Sequence, residues 1–478
     1  MVREEDFYTA LSDDEASYPE CGSGTFTTNK VVGHGRGDMK LPPISRVMRI
    51  LLVLTASTVL VYCMDIISVE SCGILIISIL FTWSHIWLAL KMCFHPLSFK
   101  GVTLCGLPIG WQGIVPQKAE RMASKSCDLM IDRLIFVNRI IDRIAGTDFL
   151  NHLKFAGLLA SLEARVRDRL KSSIISSSRV LRMLPGPGQE ILLSVTSGVT
   201  DSVCIRFVEE LKLLLKDRQF LDIRELIISE FVSNKELLVH LFTQVGSREL
   251  EFIEIAGALM GLLCGLFQIG MYSFSSVSIN PYLLFSLGGL VIGYLTNWTA
   301  LFMIFRPVEP ISVYVSKKFH FVVQGLFLRR QREASAVYAE IVTGAVLNVE
   351  KTVEFLRRSG KWCRIEKLFD NVLSNEMDAI LNKPAFPSSL RQKITQEVRE
   401  EVAAILRSDE SLSPTVVSFL ESRMQLKRTI VGKLEALPPS EFEQMLHPVF
   451  QEDEFLLILI GAGLGAAVGA LQVFIFHL

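Results

Sequence analysis

The sequence predicts an all-α membrane protein, with about five transmembrane helices and two long cytosolic-side helical domains, built by internal parallel duplication. Three observations predict it. Hydrophobic residues make up 50% of the 478 positions and charged residues 21%, too apolar for an ordinary soluble protein and too charged for a pure membrane bundle. The apolar residues gather in five runs close to the roughly 20 residues that cross a bilayer core about 30 Å thick. Ordered matches also relate one half of the chain to the other.

Residues 1–46 are polar and partly acidic, and are expected to be a disordered tail. Within it, Ser12-Asp13-Asp14-Glu15 reads as a solvated stretch or as a site for an acid-directed kinase, and Gly33-His34-Gly35-Arg36-Gly37 reads as linker. So long a polar lead argues against a cleavable signal peptide. The first apolar run, 47–64, is the weakest, because it is short and carries Thr and Ser.

A first unit follows over 73–272: a transmembrane helix at 73–94, a helical domain at 95–252 and a Gly-rich transmembrane helix at 253–272. The second, over 282–476, has a transmembrane helix at 282–305, a helical domain at 306–454 and a Gly-rich helix at 455–476. Lys and Arg orient them. Lys40, Arg46 and Arg49 precede the first run, Lys91, Lys100 and Lys118 follow the second, and Arg306, Lys317 and Lys318 follow the fourth. The loops around Asp65 and Glu70 and from Ser273 to Asn280 hold no Lys or Arg. The N-terminus and both helical domains are therefore expected on the cytosolic, positive side of a multi-pass membrane protein.

The duplication rests on ordered matches. Trp87, Ala89, Leu90, Met92, Phe94 and Pro96 align with Trp298, Ala300, Leu301, Met303, Phe305 and Pro307; Arg306 stands where the first unit has His95. Gln112-Gly113 aligns with Gln324-Gly325. Gly257, Gly261, Gly265 and Gln268 align with Gly461, Gly465, Gly469 and Gln472. Helix-breaking patches lie at Pro185 to Gly188 and at Pro384 to Pro387. Both units cross in the same sense, so they are parallel repeats about an axis along the membrane normal.

The run Gly289-Leu290-Val291-Ile292-Gly293-Tyr294-Leu295-Thr296-Asn297-Trp298, closing with Phe305-Arg306-Pro307, resembles the YheB-like membrane proteins, domain of unknown function 445. So do the Gln-Gly-x-x-Pro-x-Lys segment at Gln112 and the Gly-rich last helix ending in Gln472. The resemblance covers residue 73 to the end, as two family units in tandem. The family pattern Thr-Asn-Trp-Leu-Ala-Ile-Lys is split between them: the first unit has His85-Ile86-Trp87 but keeps Lys91, and the second keeps Asn297 but has Phe302 in the Lys position. The resemblance implies a membrane location and a long helical domain, and it implies no established activity.

Inside the helical segments, Met130, Leu134, Val137, Ile141 and Ile144 form an apolar seam at helical spacing. Leu162, Val166, Leu170 and Ile174 continue it, and Ile394, Val398, Val402 and Ile405 repeat it. Ile311 to Val323 alternates instead, which predicts a short hairpin. Leu107 to Trp111 reads either as a headgroup-layer segment anchored by Trp111 or as a loop packed on its own domain.

The chemistry-bearing residues are few. Gly257, Gly261, Gly265, Gly461, Gly465 and Gly469 recur every fourth residue and are expected to pack helices in the membrane. The Gly461-x-Gly463-x-x-Ala466 run mimics a dinucleotide fingerprint but lacks the preceding strand. His85, Thr296, Asn297 and Trp298 form a possible intramembrane polar site. Asn297 reads as a bond to a carbonyl bared by a Gly face, with Gly261 at matching depth, or as a ligand or ion site. His85 reads as a buried structural histidine or as a proton relay, with no acidic partner expected in any span. Lys91 is expected to snorkel, and Gln268 and Gln472 to reach headgroups.

HExxH, P-loop and GxSxG patterns are absent from the sequence, so no enzyme, metal or cofactor is expected. The nine Cys show no CxxC pair, and Cys63, Cys93 and Cys264 lie in apolar runs, so reduced thiols are expected. A net charge of −1 gives nucleic acid no footing, which leaves membrane lipids as partners. Two function classes stand. One is membrane organisation or lipid handling, with an acyl-chain groove among the amphipathic seams. The other is a transporter or channel with a polar site near Asn297.

Overall fold

A computed structural model describes residues 69–104, 107–133, 137–170, 186–274, 280–316, 319–381, 413–444 and 454–476, with most of 51–61 and a few positions of 392–400. Residues 45–478 form one compact unit. The expected tail over 1–46 lies outside the described residues.

Among the described residues, four helices are long and apolar enough to cross a membrane: α1 (Val69–Phe94), α10 (Ser247–Phe274), α11 (Pro281–Phe305) and α18 (Glu454–Phe476). The apolar runs at 73–94, 253–272, 282–305 and 455–476 are each found within a helix that starts earlier than expected. Asn280 caps α11, its side chain accepting from Tyr282 N, and Pro281 stands at the first helical position, where its missing N–H is harmless. The shift matters most at α10. Its first turns carry Glu249, Glu251 and Glu254, and Glu254 is buried within the apolar helix. The expectation of no acidic group in any span is thereby corrected. The run at 47–64 is only partly described. Its described positions are helical, and Leu51 packs against Ile79 and Ala258.

After α1 the chain makes an antiparallel hairpin, β1 (Lys100–Leu104) with β2 (Leu107–Trp111). After α11 it makes another, β3 (Ile311–Ser316) with β4 (Phe319–Val323), where alternation predicted one. The first was read as a headgroup segment or loop. It pairs Gly101 with Gly110, and a methyl at Gly110 would come within 2.7 Å of the Phe99 ring. Trp111 donates its indole N–H back to the Met92 carbonyl, 3.1 Å away.

Between α1 and α10 lie α2 (Ile114–Gln117), α3 (Ala119–Arg133), α4 (Val137–Asp142), α5 (Gly146–Phe155), α6 (Leu158–Leu170), α7 (Gly186–Lys216), α8 (Ile223–Ser233) and α9 (Lys235–Val245). Between α11 and α18 lie α12 (Leu326–Arg329), α13 (Gln331–Ala345), α14 (Val349–Arg358), α15 (Trp362–Leu381), α16 (Pro414–Met424) and α17 (Leu426–Ala436). The Pro185–Gly188 patch was expected to break a helix. Its Gly186, Pro187 and Gly188 form the first turn of α7, where Gly and Pro are tolerated, and Pro185 lies outside the described residues. The patch at 384–387 and most of the seams at 162–174 and 394–405 lie outside what the structure describes.

The two helical segments share a core. Phe220 and Leu221 pack on Leu356 and Ile365, with Phe207 and Trp362 at the margin. Polar bonds cross the same boundary. Glu249, nearly inaccessible, meets Arg330 at 2.7 Å, and Glu230 meets Lys351 at 3.2 Å. The Arg143 guanidinium donates to the Met424 carbonyl at 2.7 Å, and His152 stacks on Phe419 with ring centroids 4.3 Å apart.

Candidate functional site in the bundle of apolar helices

The glycines of α10 and α18 set how closely these helices approach their partners. A helix surface stripped of Cβ atoms lets a neighbouring backbone come near, and the stripe recurs every fourth residue because 3.6 residues make a turn. Gly257, Gly261 and Gly265 of α10 lie on Ile86, Ser78 with Thr82, and Leu75 of α1. Gly461, Gly465 and Gly469 of α18 lie on Asn297, Gly289 with Gly293, and Phe285 of α11. Falling numbers on one helix meet rising numbers on the other, so each pair is antiparallel.

Between the two pairs sits a polar cluster centred on Ser78. Gln472 donates its amide N–H to Ser78 Oγ at 3.2 Å, and Ser78 Oγ donates to Gln268 Oε1 at 3.1 Å. Gln268 and Gln472 were expected to reach headgroups. Both are buried instead, because the faces that carry them turn inward towards Ser78. Thr82 donates to the Ser78 carbonyl at 2.8 Å and Thr296 to the Gly293 carbonyl at 3.2 Å. These residues, with His85, line a cavity that offers the centre of a water molecule about 30 Å³.

His85 is 4% exposed, stacks nearly parallel to Phe81 and leaves Nε2 without a hydrogen-bond partner from the protein. Gln472 is 2% exposed and leaves Oε1 in the same state. An unpaired buried polar atom costs about 1–3 kcal/mol, which marks the cavity as chemically unfinished by protein atoms alone.

Not all the expected polar site converges there. Thr296 lines the cavity. Asn297 does not: its amide lies over Gly461 of α18, its own packing partner, and a methyl at Gly461 would come within 2.7 Å of its Cγ. The pairing with Gly261 is thus corrected, since the Gly face nearest Asn297 belongs to α18. Trp298 is 44% exposed and stacks on Phe302. The matching Trp87 carries Lys91 over its ring at 4.9 Å, so Lys91 and Phe302 cover corresponding tryptophans with different chemistry. Ser78, Thr82 and the two glutamines were not singled out as a site in the sequence. Their signal was the matched register of Gln268 with Gln472.

The remaining motif residues build a latch beneath each helix pair. Gln112 donates its amide to the Leu97 carbonyl at 2.8 Å, and Gln324 donates to the Val308 carbonyl at 3.1 Å. The N–H of Gly113 bonds the Pro96 carbonyl, and that of Gly325 the Pro307 carbonyl. Both glycines are required by space, because a methyl at Gly113 would meet the Phe94 carbonyl carbon at 2.8 Å and one at Gly325 would meet that of Phe305 at 2.7 Å. Phe94 and Phe305 are buried at the hinge, and Arg306 reaches Glu443 at 3.6 Å.

Outside the apolar helices, burial and then Asp201 push the Cys204 thiol up to about 11, which makes it a poor nucleophile. Burial also pushes the Tyr338 phenol upward. Among the described residues no group of three or more His, Cys, Asp or Glu is placed to hold a metal ion. No protein family, curated protein or solved structure matches this chain.

Proposed function

We propose that the chain is a multi-pass membrane protein without enzymatic activity, that it consists of two copies of one unit, and that it handles bilayer lipid by seating an acyl chain between those copies. The observation that carries this is an apolar crevice of about 670 Å³ between α10 and α11, lined by Leu263, Phe267, Leu283, Leu287, Val291 and Leu295 among others. That volume falls within the roughly 300–1,000 Å³ of small-molecule sites. Each methylene buried there contributes about 0.8 kcal/mol, so ten contribute about 8 kcal/mol before binding costs. The crevice lies among the apolar helices, not in the helical domains where the amphipathic seams suggested it, so its occupant needs no extraction from the bilayer.

The duplication is supported by the register. Each glycine of α10 and its counterpart on α18 meets residues that correspond in the sequence match, and each pair is followed by a hairpin and a Gln-Gly latch. The kinship to the YheB-like proteins is proposed on the motif residues alone. The cytosolic placement of the helical segments is proposed on the Lys and Arg distribution. Its check is impermeant thiol labelling of Asn280→Cys against Cys363, in a background without other cysteines. Labelling from opposite faces is expected, because Cys363 is exposed on the helical body and Asn280 sits at the far end of α11.

Native mass spectrometry of the full chain tests the lipid reading. A methyl at Gly288, in the crevice wall, meets nothing within 4 Å, so Gly288→Trp is the substitution chosen to occupy the crevice. Gly270 is equally open but lies off the crevice. Wild type and Gly270→Trp are expected to retain phospholipid, and Gly288→Trp to retain one molecule fewer. Equal lipid retention in all three, or none in wild type, removes the acyl-chain reading and leaves a membrane-anchored scaffold.

A further inference from the structure

The polar cavity on the bundle axis is a second site, independent of the lipid crevice. It is lined by Ser78, Thr82, His85, Gln268, Thr296 and Gln472, drawn from all four apolar helices. Ser78 lies seven residues from His85 on α1, about 10 Å along the axis at roughly 1.5 Å per residue. The cavity therefore runs along the bundle. At the Ser78 level, Gln472 Oε1 has no hydrogen-bond partner among the described residues, and at the other end His85 Nε2 has none among them. Both side chains are more than nine-tenths buried, so bulk solvent does not satisfy them.

We propose that this cavity is a binding site for water, a short file of one or two molecules bonded at its ends to Gln472 Oε1 and His85 Nε2. Size, polarity and charge select the guest. One water requires about 10–15 Å³ of room for its centre, and the cavity offers about 30 Å³. A bound water needs two to four polar partners, and Thr82 and Thr296 also line the cavity. No carboxylate, Lys or Arg lines the cavity, so a metal ion or an anion lacks a compensating charge in a low-dielectric setting. An organic guest is too large. The water file extends the direct chain Gln472 to Ser78 to Gln268, so that polar atoms of both helix pairs join in one hydrogen-bonded network across the bundle.

The test is water-edited solid-state NMR on the full chain in phospholipid bilayers, with 15N-labelled histidine. The chain has eight His, and His85 is assigned by the signal lost in His85→Phe or, should that variant not fold, in His85→Gln. His240, exposed on the helical body, reports the bulk-water response. Magnetisation transfer from water to the His85 ring is expected despite its burial. Transfer to His240 with none to His85 overturns the proposal. Thermal unfolding gives a second readout. Removing an orphaned atom from a dry cavity stabilises, so a higher Tm in His85→Phe counts against bound water. An unchanged or lower Tm is the expected result, because the water then loses a partner.

Discussion

The two helix pairs close on the same glycine ladder but against opposite surfaces. In α11 and α18 glycine faces glycine: Gly289 lies on Gly465 and Gly293 on Gly461, and a methyl at Gly289 would meet the Gly465 carbonyl carbon at 2.8 Å. In α1 and α10 the matching partners have side chains. Ser78 stands where α11 has Gly289, Thr82 where it has Gly293, and Ile86 where it has Asn297. The first pair meets α1 backbone at Gly261, where a methyl would come within 2.6 Å of the Ser78 carbonyl oxygen, and side-chain carbons at Gly257 and Gly265; the second meets backbone at Gly289, Gly293, Gly465 and Gly469. Close packing contributes to holding the second pair, since apolar side chains gain little from leaving one apolar medium for another. The first pair adds a polar hub, and Ser78 is free to bond across to Gln268 and Gln472 because its own pair leaves room for an oxygen.

The difference is most sharply broken at Gly465. Leucine there drives a branched side chain into the Gly289 and Gly293 backbone, and the expected loss is about 3 kcal/mol or more, read as failure to accumulate or as a large fall in Tm. The ladder rungs Gly461 and Gly257 give a matched comparison. Alanine at Gly461 presses on Asn297 Cγ and the Gly293 carbonyl oxygen at 2.7 and 2.9 Å, whereas alanine at Gly257 meets only the terminal methyl and neighbouring carbons of Ile86. Thermal unfolding should show Gly461→Ala losing about 1–3 kcal/mol and Gly257→Ala less than about 1 kcal/mol. Equal losses would mean that the two pairs do not differ in backbone approach.

Ser78→Ala isolates the hub. It keeps the volume but strips Gln268 and Gln472 of their shared partner, so a loss of about 1–2 kcal/mol is expected by thermal denaturation, and none in a background that already carries Gln268→Leu and Gln472→Leu. The smallest effect belongs to Gly270→Leu. Nothing lies within 4 Å of a methyl at that position, and the stability should stay within about 0.5 kcal/mol of the wild type. A large loss there would show that the stripe, not only its ladder face, is packed.

The helical body supplies a weaker joint between the two halves. Glu230 is buried and meets Lys351 at 3.2 Å and Arg358 at 3.8 Å, but Arg358 is largely exposed. Burial works to lower the Lys351 pKa, and Glu354 and Glu230 outweigh it, so the net displacement is upward.

What the sequence determined by itself is what depends on local period. Apolar runs of helix-crossing length, glycine at every fourth position in Gly257 to Gly265 and Gly461 to Gly469, and strand alternation from Ile311 to Val323 are each legible within one segment, and helices or a hairpin stand where they were read. The tertiary structure decided what depends on a partner far along the chain. Leu107 to Trp111 became a strand through its pairing of Gly101 with Gly110, which no alternation announces. Asn297 met Gly461 of α18 and not Gly261 of α10. Gln268 and Gln472 looked like ends of apolar helices within reach of headgroups, and only the convergence of three helices on Ser78 turned them inward. A helix period states which face is bare or apolar; it does not state which neighbour will cover that face. That choice is made by the summed fit of whole surfaces, and so a polar site assembled from four helices has no signature in any one of them.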